Sequence, residues 1–179
     1  MIIKAFPPVT TNKATLLILG SMPGVASLQE QRYYAHPRNA FWKLMAECLR
    51  FDHSSYQLCL SALDNHGIAL WDVLKHCERP GSLDSNIVES SVECNDFSHF
   101  LKHHDKITTV LFNGKTAERL FRKHMTKNLE YSLDKIPVMK SLPSTSPAMA
   151  SLNFEQKLKL WRGALVEAGI KCKGQESAR

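Results

Sequence analysis

Three short segments contain residue types suited to holding a ligand, and each of them follows an apolar run. Residues 20–24 read GSMPG, residues 113–114 read NG, and residues 143–148 read PSTSPA. Backbone N–H groups and hydroxyls in turns rigidified by glycine and proline can grip a phosphate or the polar edge of a ligand. A plain turn is the competing interpretation of each, and for GSMPG composition alone favours it.

A fourth segment, YYAHPRNAFW over residues 33–42, combines aromatic rings with an amide and a cation. Tyr33 and Tyr34 precede a helix, in a loop where a ring can stack on a planar ligand such as a base. Asn39 is expected in the first turn of that helix beside Arg38, where its amide could orient a ligand. Alternatively, Asn39 caps the helix and Arg38 is solvated.

Signatures of several other enzyme classes are missing from the sequence. It has no GxxxxGK[ST] or GxGxxG for nucleotide binding and no GxSxG for a serine hydrolase. Its five cysteines are widely spaced, without a CxxC pair or a Cys/His cluster at zinc-ligand spacing. We therefore expect reduced thiols, no metal site and no cofactor.

Four apolar runs predict the strands that would position these segments. The runs cover residues 15–20, 68–74, 108–114 and 136–142. Helices are expected from Pro37 to Leu49, from Tyr56 to just before Gly67, and over residues 95–104, 115–125 and 153–168. Alternating strands and helices imply a parallel sheet covered on both faces, whose ligand binds beyond the carboxyl ends of the strands. GSMPG, NG and PSTSPA all fall at that edge.

The composition is that of a folded protein: 179 residues, 44% hydrophobic and 22% charged. It excludes disordered, collagen-like and low-complexity classes. We expect one domain over residues 1–170 and a frayed tail over 171–179. No apolar run approaches the roughly 20 residues of a membrane span. The first residues also lack the pattern of a secretory signal, so a cytoplasmic location is expected.

The formal charge of +6 is concentrated in the second half of the chain. Residues 91–179 carry 15 basic and 9 acidic side chains, whereas residues 1–90 carry 8 of each. Seven basic side chains between positions 113 and 140 exceed the acidic ones there by four: Lys115, Arg119, Arg122, Lys123, Lys127, Lys135 and Lys140. A basic face of this kind permits a DNA partner. A solvated helix face would have the same composition.

Taken in order, GSMPG, YYAHPRNAFW, LFNGKTA and SLPSTSPA resemble the motif series of the uracil-DNA glycosylase superfamily. They are most similar to its hypoxanthine-DNA (deoxyinosine) glycosylase branch, in collinear order over about residues 15–150. The resemblance implies a three-layer α/β/α sandwich around a four-stranded parallel sheet. It also implies a monofunctional DNA N-glycosylase that flips and excises a deaminated base and so initiates base excision repair. Such an enzyme needs no cofactor and acts on DNA as a monomer, at the nucleoid in a prokaryote.

The resemblance also implies roles for individual residues. The superfamily usually has Asp or Asn at the third position of the first motif, to position the attacking water. Here that residue is Met22, and the deoxyinosine branch assigns the role to the residue that matches Asn39. The implied residues are catalytic Asn39 and Asn113; base-binding Gly20, Ser21, Met22, Pro23 and Tyr34; and DNA-binding Lys115, Ser144, Thr145, Ser146 and Pro147. The histidine that some members carry in the last motif is replaced by Leu142, and His36 has no assigned role.

Two alternatives stay open on the sequence. The first keeps the reaction and changes the base to uracil or a mismatched thymine; Met22 weighs against it, because uracil-cleaving relatives generally rely on Asp or Asn there. The second is a non-catalytic DNA-binding module that keeps the pocket without turnover.

Overall fold

The computed structural model describes residues 2–130 and 135–172 of the chain. Its strands are β1 (Ile2–Lys4), β2 (Leu16–Gly20), β3 (Ile68–Asp72), β4 (Leu74–Glu78), β5 (Glu93–Cys94), β6 (Thr109–Asn113) and β7 (Val138–Leu142). Its helices are α1 (Val25–Glu30), α2 (Phe41–Leu49), α3 (Tyr56–Asn65), α4 (Phe97–His103), α5 (Lys115–Glu130) and α6 (Phe154–Glu167). None of these helices is long and apolar enough to cross a membrane.

The central sheet is parallel, in the order β3-β2-β6-β7. Strands β2 and β3 are buried along their whole length, which suits their nearly uninterrupted apolar sequences. The register pairs Gly20 with Asp72 and Asn113 with Leu142. The last residues of the four strands therefore meet at one edge of the sheet.

Helices cover both faces of this sheet. Because side chains alternate along a strand, Leu17 and Leu19 of β2 point to the opposite face from Leu16 and Ile18. The first pair packs in a core with Phe97 of α4 and Phe121 of α5; the second packs with residues of α2, α3 and α6 that include Phe41, Leu63 and Trp161. The expected three-layer α/β/α sandwich with four parallel strands is confirmed.

The structure adds a small antiparallel sheet that the sequence did not predict. The predicted strand over 68–74 ends at Asp72, and the chain continues as β4, which pairs with β1 and β5. Strands β1 and β5 have only three and two residues, too few to show an alternating pattern. Helix α1, which has six residues, is likewise an addition to a segment predicted as loop.

The predicted start of the first expected helix at Pro37 is wrong. Helix α2 begins at Phe41, with Ala40 in the capping position. The Asn39 N–H donates to the His36 carbonyl at 2.8 Å, so this segment closes into a turn before the helix. The prediction of a frayed tail over 171–179 falls largely outside the described residues; of that range, the structure describes 171–172, and Cys172 is buried.

Candidate active site at the carboxyl edge of the sheet

A cleft of about 1080 Å³ opens at the edge where the four parallel strands end. Its lining includes all twelve residues that the resemblance implied: Gly20, Ser21, Met22, Pro23, Tyr34, Asn39, Asn113, Lys115, Ser144, Thr145, Ser146 and Pro147. His36, Arg38 and Asp72 line it as well. Segments that lie far apart in the chain are thus brought together because their strands are parallel neighbours.

Asn113, at the end of β6, is fixed by the PSTSPA segment. Its Nδ2 donates to the Thr145 hydroxyl at 2.9 Å, and its Oδ1 accepts from the Thr145 N–H at 2.9 Å. Thr145 is 1% exposed, so the hydroxyl predicted to contact phosphate lies buried against Asn113. An amide nitrogen has two hydrogens, so Asn113 keeps one donor for a ligand.

The other residues of the PSTSPA segment stay closer to solvent. The Ser146 N–H donates to the Ser144 hydroxyl, and the Ala148 N–H donates to the Ser146 hydroxyl, each at 3.2 Å. Both serines are half-buried and Pro147 is exposed. Their hydroxyl hydrogens remain available as donors to a phosphate at the mouth of the cleft.

Asn39 lies in the turn that precedes α2 and is half-buried. Its Oδ1 accepts from the Phe41 N–H at 3.0 Å, a local bond two residues along the chain, while Ala40 occupies the capping position of α2. The next residue, Ala40, donates its N–H to the Thr145 carbonyl at 3.0 Å. Asn39 and Asn113 are thus connected through the same threonine, and the Asn39 oxygen keeps a second lone pair for a water.

The structure distinguishes the two tyrosines of YYAHPRNAFW. Tyr33 is 3% exposed, and its hydroxyl donates to the Pro7 carbonyl at 3.1 Å, so it belongs to the core. Tyr34 has a positive φ of 54°, and its ring stacks on Phe41 with centroids 4.0 Å apart. Its buried hydroxyl makes no hydrogen bond of regular geometry among the described residues, and Asn113 is the side chain close enough to act as a donor to it. Burial is the main cause that raises the pKa of Tyr34, so the group stays neutral.

Asp72, at the end of β3, is a site residue that the sequence motifs did not predict. It is 3% exposed, and its Oδ2 has no partner among the described residues. A Cβ added at Gly20 would lie 2.5 Å from Asp72 Oδ1 and 3.2 Å from the Tyr34 hydroxyl. Glycine at position 20 therefore makes room for both polar groups at the cleft floor.

Burial raises the pKa of Asp72 to about 7, and the charge of Asp84 adds to this while Arg79 opposes it. A carboxyl group with such a pKa is substantially protonated near neutral pH and can donate a hydrogen bond. The sequence signal that could have identified it is the polar residue ending the apolar run IALWD. Because the predicted strand was extended to residue 74, Asp72 was not recognised as the last residue of a strand.

The GSMPG segment is held by a buried cation. The Arg79 guanidinium donates to the carbonyls of Met22 and Pro23 and lies 3.6 Å from Asp84 Oδ1. Ser21, predicted to contact the base, instead donates its hydroxyl to the Asp84 carboxylate at 2.7–2.8 Å. The two carbonyls point toward Arg79. A trans peptide places its carbonyl and its N–H on opposite sides, so the Gly24 N–H, which shares a peptide with the Pro23 carbonyl, is directed away from Arg79.

The basic helix α5 presents less uncompensated charge than its sequence suggests. Arg119 and Lys123 bind the two carboxylate oxygens of Glu89 at 2.6 and 2.8 Å. These two hydrogen bonds lower the pKa of Glu89 to about 2. Lys115, exposed at the start of α5, lies at the cleft itself. Among the described residues no group of three or more His, Cys, Asp or Glu side chains could hold a metal ion.

The family model of the uracil DNA glycosylase superfamily matches residues 7–166. The chain belongs to this superfamily. It is 41% identical over 116 residues to the hypoxanthine DNA glycosylase of Methanosarcina barkeri, a match that covers 64% of this chain and 72% of the relative. It is 38% identical over 119 residues to the protein of the same name from Methanosarcina acetivorans, covering 65% and 74%.

A solved relative shares the superfamily fold. It is a solution NMR structure from Methanosarcina acetivorans, named provisionally as a uracil DNA glycosylase. The two chains superpose with a TM-score of 0.73 and 31% identity, over 94% of this chain and 99% of the other. Residues from all four segments that carry the resemblance, GSMPG, YYAHPRNAFW, LFNGKTA and SLPSTSPA, line the cleft.

Proposed function

We propose that this protein is a DNA glycosylase that excises hypoxanthine from deoxyinosine in DNA, leaving an abasic site and initiating base excision repair. The observation that carries the proposal is the convergence of Tyr34, Asn39 and Asn113 in one cleft at the sheet edge. The names of two relatives about 40% identical to this chain support hypoxanthine as the base.

The target bond lies inside the base stack, so the nucleotide must leave the duplex before it can react. Extrusion costs a few kcal/mol and costs least for a mispaired base, as inosine opposite thymine is. A cleft of about 1080 Å³ has room for an extruded nucleotide. The Ser144 and Ser146 hydroxyls and Lys115, at its mouth, would contact the flanking phosphates.

Asn39 would position the water that attacks the sugar. Its Oδ1 already accepts one hydrogen bond, from the Phe41 N–H, and can accept a second from the water. An amide is too weak a base to remove a proton early in the reaction. The C1′–N9 bond therefore breaks first, and its electron pair leaves with the base. The water oxygen then bonds to the cationic C1′, and its proton passes to a DNA phosphate or to solvent.

The departing purine would gain negative charge next to hydrogen-bond donors. Asn113 keeps one Nδ2 hydrogen, and the Asp72 carboxyl, in its protonated form, has an oxygen without a partner among the described residues. Donors fixed in position before charge develops stabilise the transition state more than mobile water does. We therefore assign Asp72 a role in stabilising the leaving base. The ring of Tyr34 would stack on the face of that base.

Uracil is the second candidate base, because the solved relative bears the name of a uracil DNA glycosylase. Met22, 6% exposed, weighs against it, since a thioether cannot position a water as Asp or Asn does. Incubation with duplexes that carry one inosine, uracil, xanthine or mismatched thymine, followed by alkali, separates the candidates. We expect strand breaks at inosine. Breaks at uracil or mismatched thymine alone would establish the alternative bases, and none at any base would indicate a DNA-binding module.

The proposal includes a monomeric protein in the cytoplasm, at the nucleoid if the cell is prokaryotic. One catalytic cleft within one chain needs no residue from a second copy. Size-exclusion chromatography with light scattering tests this, and a stable dimer would contradict it.

A further inference from the structure

Four consecutive backbone carbonyls of the GSMPG segment accept hydrogen bonds from buried residues outside the cleft. The four carbonyls belong to Gly20, Ser21, Met22 and Pro23. The first two accept from the backbone N–H groups of Val73 and Leu74, at 2.8 and 3.1 Å. The last two accept from one side chain, the Arg79 guanidinium. Val73, Leu74 and Arg79 are at most 4% exposed and do not line the cleft, so the segment is fixed from its buried side.

Arg79 suits this position because a guanidinium presents five N–H donors in one plane. Its Nη1 and Nη2 bind the Met22 and Pro23 carbonyls, and its Nε donates to the Gly81 carbonyl at 3.1 Å. One side chain therefore ties a segment that lines the cleft to the loop that follows β4. A lysine carries its three donors on one nitrogen, so it could not reach carbonyls that lie at three different nitrogens of a guanidinium.

The charge of Arg79 is balanced by Asp84, whose Oδ1 lies 3.6 Å from Nη1. The Asp84 carboxylate also accepts the Ser21 hydroxyl at 2.7–2.8 Å, so it holds the same segment from a position in the cleft lining. A buried charge is costly unless it is paired and hydrogen-bonded. Arg79 and Asp84 therefore act on the GSMPG segment as one unit.

Both charges also act on Asp72, the carboxyl group assigned above to the leaving base. Burial is the main cause that raises the pKa of Asp72; the charge of Asp84 adds to it, and the charge of Arg79 opposes it. Tyr33 and Tyr34 interact with Asp72 as well, and both stay neutral because burial raises their pKa values. Removing the charge at position 79 and removing the charge at position 84 should therefore change the ionisation of Asp72 in opposite directions.

We propose that Arg79 and Asp84 are positioning residues for base excision, which fix the GSMPG segment against the leaving base and balance the charge beside Asp72. Neither residue belongs to the four segments that carry the resemblance. The inference rests on the proposed excision of a base, but it concerns residues that act on that base through the segment and through Asp72.

The first test is single-turnover excision of hypoxanthine from an inosine-containing duplex, at saturating protein and over a pH series. We expect Arg79→Met to react at least about 10-fold more slowly than wild type, because the segment loses the donors that hold it. Binding to an undamaged duplex should stay within about twofold, because phosphate contacts dominate it. Arg162→Met is the matched control: Arg162 is half-buried on α6 and does not line the cleft.

The pH at which excision declines separates positioning from a loss of structure. It should rise by roughly half a pH unit or more in Arg79→Met, which removes a positive charge, and fall in Asp84→Asn, which removes a negative one. Asp84→Asn keeps an oxygen that can accept the Ser21 hydroxyl. If Arg79→Met does not fold, Arg79→Lys takes its place; because it keeps the charge, its rate should fall while its decline stays at the wild-type pH.

A second test observes the segment without catalysis, by NMR relaxation of the Met22 and Gly24 backbone N–H groups. We expect order parameters of about 0.85 in wild type and in Arg162→Met, and below about 0.6 in Arg79→Met or Arg79→Lys. Order parameters that stay at the wild-type value in the folded Arg79 variants would contradict the positioning role.

The inference is also overturned if a folded Arg79 variant excises hypoxanthine as fast as Arg162→Met. It is overturned as well if the decline does not shift in opposite directions in Arg79→Met and Asp84→Asn. Excision by wild type is scored separately. If wild type excises no base while Met22 and Gly24 lose order in Arg79→Met, the proposed function fails and the hold of Arg79 on the segment stands.

Discussion

Asn113 and Thr145 exchange two hydrogen bonds at the floor of the cleft, one through each end of the asparagine amide and both 2.9 Å long. Asn113 is 9% exposed and Thr145 is 1% exposed. The segment predicted to hold phosphate therefore also fixes the orientation of Asn113, a side chain predicted to be catalytic. A DNA contact that shifts Ser144 or Ser146 would therefore also shift the Asn113 amide.

Removing the Thr145 hydroxyl should disorient Asn113. Thr145→Val keeps the branched shape but leaves the Asn113 Nδ2 without its acceptor, and a buried polar group without a partner costs about 1–3 kcal/mol. We expect this loss in the free energy of unfolding by urea, together with slower excision. Thr145→Ser is the control, because it retains the hydroxyl. Equal stability and equal excision rates of the two variants would show that the hydroxyl is unimportant.

A methyl group at position 20 should disrupt the cleft floor. In Gly20→Ala the new Cβ would lie 2.5 Å from Asp72 Oδ1, so one of the two groups must shift. We expect a loss of about 1–3 kcal/mol of stability, as for other overpacked sites, and strongly reduced excision. Gly163→Ala is the control: Gly163 lies in α6 with no atom within 4 Å of the added Cβ. A fully active, equally stable Gly20→Ala protein would contradict the geometry.

Asp72 should make stability and activity depend on pH. Its pKa is raised by burial from 3.8 to about 7, so between these values the folded state holds a proton that the unfolded state has lost. The contribution of this group to the free energy of unfolding is complete below pH 4 and is lost as the pH rises through 7. Each unit of difference between the two pKa values corresponds to about 1.4 kcal/mol. Asp72→Asn removes the titration.

We therefore expect Asp72→Asn to gain stability over wild type between pH 5 and pH 8, measured by urea unfolding. Wild-type excision should decline above pH 7 as the carboxyl loses the proton that it donates. The amide introduced by Asp72→Asn cannot titrate, so the variant should show no such decline. Parallel pH profiles of the two proteins, in stability and in rate, would refute the assignment of a protonated Asp72.

Lys115 should contribute more to DNA binding than the paired cations of α5. The charge reversal Lys115→Glu should weaken binding to any duplex and reduce the slope of log K against log salt by about 1 or more. Arg119→Gln should have a smaller effect, since Arg119 already binds Glu89. Fluorescence anisotropy titrations at several salt concentrations measure both. Equal effects would indicate that DNA displaces Glu89.

Features that rest on a continuous sequence pattern could be predicted, whereas features that rest on contacts between distant segments could not. The four parallel strands were identified because each lies in an apolar run such as TLLILG, and the position of the cleft followed from the parallel topology. The bond between Asn113 and Thr145 could not be predicted, because it depends on how a loop folds back over 32 residues of chain. Glu89, which neutralises two cations of α5, lies in a different segment from them, so counting charges by segment missed it.

The central claim is that this chain hydrolyses the bond between hypoxanthine and its sugar with a water positioned by Asn39. The most direct measurement is the single-turnover release of free hypoxanthine from an inosine-containing duplex, by wild type and by Asn39→Ala. We predict release by wild type and a rate at least about 100-fold lower in Asn39→Ala, with unchanged binding to a duplex that contains one tetrahydrofuran residue, a stable abasic analogue. Asn39→Asp, which keeps an acceptor for the Phe41 N–H, should retain more activity than Asn39→Ala. Release by Asn39→Ala at the wild-type rate, or no hypoxanthine from wild type, would contradict the account.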